Sequence, residues 1–161
     1  MDTISHALWG KGLFGYRKYR YLSFVFGAIP DLLSFGIYFL FNLILNPSTT
    51  KLGKPNLSEI PEWVFSLYNF SHSLIISTIF ILIIYKINRE IYFPMLAWPF
   101  HILLDLLTHS IDFFPTPILW PISDYRFDGI PWSNSYIMIT NIVCIFLIFI
   151  YRRNNLKKIK S

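Results

Sequence analysis

YLSFVFGAIPDLLSFGIYFLFNLIL, residues 21–45, is a long apolar run broken by Gly27, Pro30 and Asp31. About 20 such residues cross the hydrocarbon core of a bilayer. Backbone polar groups in lipid find no water, so they must be satisfied within the segment, which makes the run a helix. Three further runs follow, at residues 67–85, 91–108 and 136–151, the last slightly short and extendable through residues 132–135. The expected fold class is therefore all-α: an integral membrane helical bundle of four transmembrane helices plus a short N-terminal inserted or interfacial helix.

Composition points the same way. The 161 residues suit a single domain, and with 54% hydrophobic and 14% charged residues the chain falls well short of the roughly 25% charge of soluble domains. A net charge of +5 need not mean nucleic acid, and none is expected as a partner. The basic residues flank the apolar runs, where they orient helices and meet anionic lipid. The one cysteine, Cys144, excludes an internal disulfide and a cysteine-based zinc site; it reads as a small buried apolar residue. The start, MDTISHALWG, lacks the basic region of a secretory signal.

Arg17, Lys18 and Arg20 precede the first run, Lys86 and Arg89 link the second to the third, and Arg152, Arg153, Lys157, Lys158 and Lys160 follow the fourth. In a four-span topology these fall on one side, and only Lys51, Lys54 and Arg126 on the other. The positive-inside rule makes the clustered side cytoplasmic. Residues 1–151 then form one membrane-embedded domain, 152–161 a basic cytoplasmic tail, and 46–66 and 109–134 external loops.

The third run carries His101-Ile-Leu-Leu-Asp105-Leu-Leu-Thr-His109. At i, i+4, i+8 these residues share one helix face, about 6 Å apart along the axis. Either neighbouring pair can share a metal, with Asp105 placed to bridge two. Imidazole and carboxylate suit zinc, manganese or iron. Asp31 follows Pro30, whose missing amide leaves carbonyls free near a carboxylate, and His72 lies near the external end of the second run. A carboxylate at mid-bilayer costs roughly 2.5–3.5 kcal/mol, so Asp31 and Asp105 together cost roughly 5–7 kcal/mol unless paired. No Lys or Arg lies within any run, which leaves histidines and a bound cation as partners.

Residues 2–16 are too few for an ordinary span. They form either a surface helix or a short inserted one. The inserted helix is preferred because it starts externally and brings His6 to the other polar residues. In the last external loop, Arg126 is placed to clamp phosphate or carboxylate bidentately; the plainer alternative is an ion pair with Asp124 or Asp128.

Taken together, Ser5-His6, Gly27-Ala-Ile-Pro30-Asp31, Ser71-His72-Ser73, His101-x-x-x-Asp105-x-x-Thr108-His109 and Leu119-Trp120-Pro121 through Arg126-Phe127 resemble the YdjM-like family of membrane-bound metal-dependent hydrolases. The motifs spread over most of the chain. The family's proline-aspartate motif often has a second acid two residues on, where this chain has Leu33. More distantly, the HxxxD spacing looks like that of zinc-dependent phospholipase C enzymes. The resemblance implies a multi-pass inner-membrane protein whose His and Asp residues bind metal.

The expected function is hydrolysis of a phosphoester or lipid-linked substrate, with His6, Asp31, His72, His101 and Asp105 as candidate metal ligands. Asp105, His109 and Arg126 are the candidate catalytic residues: His109 completes coordination or moves protons, and Arg126 stabilises phosphate charge. The expected cofactor is a divalent metal, zinc first, and the expected partners are membrane lipids. The alternatives are a small ion or proton transporter and a non-catalytic membrane partner protein.

Overall fold

The structure, a computed structural model, describes residues 1–45, 47 and 55–160, the side chains of 156–160 excepted. Lys51 and Lys54 of the expected external loop lie outside the described residues. All regular structure among the described residues is helical: α1 (Thr3–Phe14), α2 (Leu22–Asp31), a π-helical turn (Leu32–Gly36), α3 (Ile37–Leu45), a 3-10 turn (Leu57–Glu59), α4 (Glu62–Ser71), α5 (Leu74–Ile87), α6 (Tyr92–Met95), α7 (Ala97–Thr108) and α8 (Ser135–Lys160).

Two stretches are long and apolar enough to cross a membrane, Leu22–Leu45 and Ser135–Asn155; a third joins them if α4 and α5, bent by 53°, count as one. Prolines account for much of the departure from four simple spans. Pro99 has no amide to give Met95, and its ring crowds that carbonyl, so the run 91–108 breaks at Leu96 and leaves α7 only 12 residues long. Pro30 sits inside α2, and the helix widens into the π turn directly after Asp31. The second run is likewise divided. His72 stands at the bend between α4 and α5 rather than at the end of one helix, and α4 takes in residues 62–66, expected as loop. α8 carries the chain on as helix through the basic tail.

α1 is the centre of the bundle, in contact with α2, α6, α7 and α8. Asp2 caps its start, accepting from Ser5 N at 2.8 Å and Ser5 Oγ at 2.6 Å. Small residues let α1 meet α2: a Cβ on Gly27 would lie 2.5 Å from the His6 carbonyl oxygen, and one on Gly10 would lie 2.3 Å from that of Ser23. This contact brings His6 against the Pro30–Asp31 end of α2.

α8 packs mainly on α1. Asn141 donates to Ser5 Oγ and accepts from Trp9 Nε1, at 2.8 and 2.7 Å, while Arg152 donates to the Gly12 and Leu13 carbonyls, at 2.9 Å each. Most of its remaining surface is exposed, so Cys144 is half-buried rather than buried. The exposed faces of α3, α5 and α8 are rows of Leu, Ile and Phe; a water-soluble monomer rarely shows apolar surface on that scale, whereas a lipid-facing bundle must.

The basic clusters gather at one end. Lys18 bonds Glu90 at 2.5 Å, a contact that raises the Lys18 pKa; Arg17 stacks 4.1 Å over Phe93; and Arg152 lies 3.8 Å over Tyr16. α1 runs away from this end back to its own start at Asp105 and His109, where Met1 sits.

Candidate metal centre

Four buried side chains converge from three directions. α2 ends on Asp31, the α4–α5 bend presents His72, and α7 presents His101 and Asp105 one turn apart. Each histidine is oriented from behind. His101 Nδ1 lies 2.7 Å from the Gly27 carbonyl oxygen, which can only accept, so Nδ1 carries the proton. His72 Nδ1 lies 3.1 Å from the Tyr68 carbonyl oxygen and 2.9 Å from Ser71 Oγ, whose own proton goes to that carbonyl, so Nδ1 donates again. With the Nδ1 protons assigned by these bonds, both neutral imidazoles point an Nε2 lone pair inward.

Those two Nε2 atoms lie 3.2 Å apart. Asp105 Oδ2 lies 3.1 Å from His101 Nε2 and 3.5 Å from His72 Nε2, and has no hydrogen-bond partner. Asp31 Oδ1 lies 3.5 Å from His72 Nε2 and 3.6 Å from His101 Nε2. With both imidazoles neutral, electron-rich atoms face one another with no proton between them. Two ligands each 2.0–2.1 Å from a tetrahedral zinc lie about 3.3 Å apart, and the five separations, 3.1–3.6 Å, scatter around that value. The donor set, two imidazoles and two carboxylates, suits zinc, manganese or iron. Asp31, His72, His101 and Asp105 therefore fit a divalent ion.

The outer carboxylate oxygens are also held. Thr3 Oγ1 donates to Asp31 Oδ2 at 2.8 Å. Asp105 Oδ1 meets His6 Nε2 at 2.8 Å, touches the Met1 ammonium group, and lies 3.7 Å from His109 Nε2. The His6 ring stacks on that of His101, centroids 3.5 Å apart and planes 21° from parallel. His6 therefore joins the cluster, carried there by an α1 packed inside the bundle.

His109 caps the C-terminus of α7. Its Nδ1 lies 3.0 Å from the Tyr68 hydroxyl, whose proton goes to the Phe114 carbonyl at 2.9 Å. Nδ1 must therefore donate, which leaves the Nε2 lone pair facing Asp105 and Met1. Arg126 is half-buried. It donates Nη2 to Asn69 Oδ1 at 3.3 Å, while Nη1 is buried without a partner. Among the described residues it makes no ion pair with Asp124 or Asp128, and its charge reaches Tyr68.

No family model, no curated protein and no solved structure matches the chain.

Several contributors escaped the sequence. Tyr68 lies four residues before His72, but an aromatic residue in an aromatic run carries no polar signal. Thr3 and the Gly27 carbonyl orient ligands through contacts that only the α1–α2 packing creates. The i, i+4 spacing of Tyr68 and His72 was the one cue available.

Proposed function

We propose that this chain is a multi-pass inner-membrane protein with a cytoplasmic C-terminal tail, which hydrolyses a phosphoester or lipid-linked substrate with a divalent ion held by Asp31, His72, His101 and Asp105. The observation that carries the reading is the inward convergence of the His72 and His101 Nε2 lone pairs on the partnerless Asp105 Oδ2. The resemblance to the YdjM-like family supports the same reading. Four crossings keep every basic cluster on one side, with the broken α6–α7 run as the third.

A divalent ion supplies Lewis acidity, lowering the pKa of water towards neutrality and neutralising charge on a phosphoryl oxygen. The chain's own residues do the rest. Gly27, Tyr68 and Thr3 hold the ligands in register. His6 and His109 line the side of Asp105 away from His72 and His101, where they complete coordination or take up a proton. Arg126, bonded through Nη2 to Asn69 and with a buried Nη1 that has no partner, stabilises phosphate charge.

The test is phosphate release by the purified protein in detergent, from bis-p-nitrophenyl phosphate and from a polyprenyl diphosphate. Release should require added zinc or manganese and vanish in Asp105→Asn. Cation or proton flux into proteoliposomes that depends on Asp105, without hydrolysis, would make the protein a transporter instead.

A further inference from the structure

We infer that the ligand is a lipid whose hydrocarbon chain lies in a groove between α1 and α8, with its phosphate-bearing head at the metal centre. This deepens the hydrolase reading and rests on it for the head; the groove itself stands on the packing of α1 against α8.

The groove follows from how α8 is fastened. Ser5, Leu8 and Gly12 share the face of α1 turned towards α8. Contact is close at both ends of that face: Asn141 Nδ2 donates to Ser5 Oγ at 2.8 Å, and a Cβ on Gly12 would lie 2.8 Å from Ile148 Cγ2. Trp9 fills one flank of the seam, donating to Asn141 Oδ1 at 2.7 Å and packing 5.7 Å from the Phe100 ring. Leu8, on the other flank, leaves a groove of about 440 Å³ lined by Ser5, Leu8, Ile142, Ile145, Phe146 and Phe149. That volume lies in the range of small-molecule sites. The one polar lining residue is Ser5, and its hydroxyl is already bonded to Asp2 and Asn141. The walls therefore offer a ligand apolar contact and no polar partner.

Three features choose the occupant. The first is continuity with the lipid-facing surface. Ile142 and Phe146, at the rim, are 58% and 65% exposed, and they stand on a helix long and apolar enough to cross a membrane. The second is width. From Ile142 to Phe149 the groove follows about 10 Å of helix. Over that length a volume of about 440 Å³ is narrower than a second helix, about 10–12 Å across with its side chains, and suits one chain. The third is direction. The Ser5 end is level with the metal centre, because Thr3 and His6, on the same turn of α1, bond Asp31 and Asp105. The Phe149 end points to the basic end of the bundle, where Arg152 lies over Tyr16. A lipid whose head meets the metal centre runs its chain along that line, away from its own headgroup surface and into the bilayer.

Photolabelling of the full chain in nanodiscs, with farnesyl phosphate carrying a diazirine at the chain end, tests this. Mass spectrometry should find the cross-links clustered on Leu8, Ile145, Phe146 and Phe149, suppressed by excess farnesyl phosphate and far less by farnesol. Leu8→Trp and Ile142→Trp fill the groove from its two walls. Each should abolish that labelling and raise KM for farnesyl diphosphate about tenfold, with bis-p-nitrophenyl phosphate hydrolysed as before. Leu147→Trp, on the opposite face of α8, should do neither. Helix content by circular dichroism and a single size-exclusion peak qualify each variant. Labels spread evenly over the exposed faces of α3, α5 and α8, or suppressed equally by farnesol, mean bilayer lipid only and overturn the inference. Groove labelling that farnesyl phosphate suppresses, with no phosphate release by wild type from either substrate, overturns the hydrolase reading and supports the lipid site.

Discussion

His72 and His101 face each other Nε2 to Nε2 at 3.2 Å, although they come from a helix bend and from α7, 29 residues apart. Each gives its Nδ1 proton to a backbone carbonyl behind it. Two facing lone pairs repel, and two facing imidazolium protons would repel more strongly. A shared divalent ion, or a single shared proton, removes the conflict; the divalent ion also offsets both carboxylate charges of Asp31 and Asp105, which no Lys or Arg among the described residues pairs.

That relationship makes stability depend on metal. Zinc at a hundred times its dissociation constant stabilises the protein by about 2.7 kcal/mol. Thermal denaturation in detergent should therefore show EDTA lowering the midpoint of wild type and leaving a His72→Ala/His101→Ala variant unmoved. Equal behaviour of the two would speak for a purely structural polar cluster.

Tyr68 supports His109 with its hydroxyl and orients His72 through its carbonyl. Tyr68→Phe removes only the hydroxyl. Loss of such a supporting group typically weakens metal affinity by about 10–100-fold. Competition with a fluorescent zinc chelator should show a loss of that size with helix content unchanged; unaltered affinity would reduce Tyr68 to packing.

Gly27 and Gly36 make a matched pair. An added Cβ at Gly27 meets the His6 backbone at 2.5 Å, whereas at Gly36 it meets the end of the Leu32 side chain at 3.2 Å, which can turn aside. Gly27→Ala should destabilise by about 1–3 kcal/mol and lose bound metal, because it moves α1 and His6 away from Asp105. Gly36→Ala should keep its metal. Thermal melts and metal content of the two variants check this.

α8 is fastened through two polar residues, Asn141 and Arg152, and bears none of the four inner ligands. Asn141→Ala with Arg152→Ala should speed hydrogen exchange along α1 and α8 while leaving the Asp31–His72–His101–Asp105 ion bound. Release of that ion would show that α8 helps to build the centre.

The gathering of the three basic clusters at one end predicts sidedness. Single cysteines at Asn88 and Ser133, in a Cys144→Ala background, should react with an impermeant maleimide from opposite faces of the membrane. Labelling of both from one side would end the four-crossing proposal.

Much of this was legible in the residues. The apolar runs announced helices, and the spacing of His101, Asp105 and His109 announced a shared face. Their intramembrane placement made His6, Asp31 and His72 natural companions, and the structure brings them together. Less legible was how the runs break. Pro30 and Pro99 were visible, but whether a proline bends a helix, widens it or divides it depends on which neighbours satisfy the freed groups. The bend at His72 has even less local signature. It is held by Trp98 Nε1 on the Ser71 carbonyl at 2.7 Å and by Ile118 O on Leu74 N at 3.0 Å, partners distant in sequence. Tyr68, Thr3 and the Gly27 carbonyl were hidden for the same reason.

Metal quantification by mass spectrometry on protein purified without added metal tests the central claim most directly. Wild type should carry at least one equivalent of zinc, manganese or iron, and Asp105→Ala next to none. Less than about a tenth of an equivalent in folded wild type, unrestored by dialysis against zinc, would contradict it.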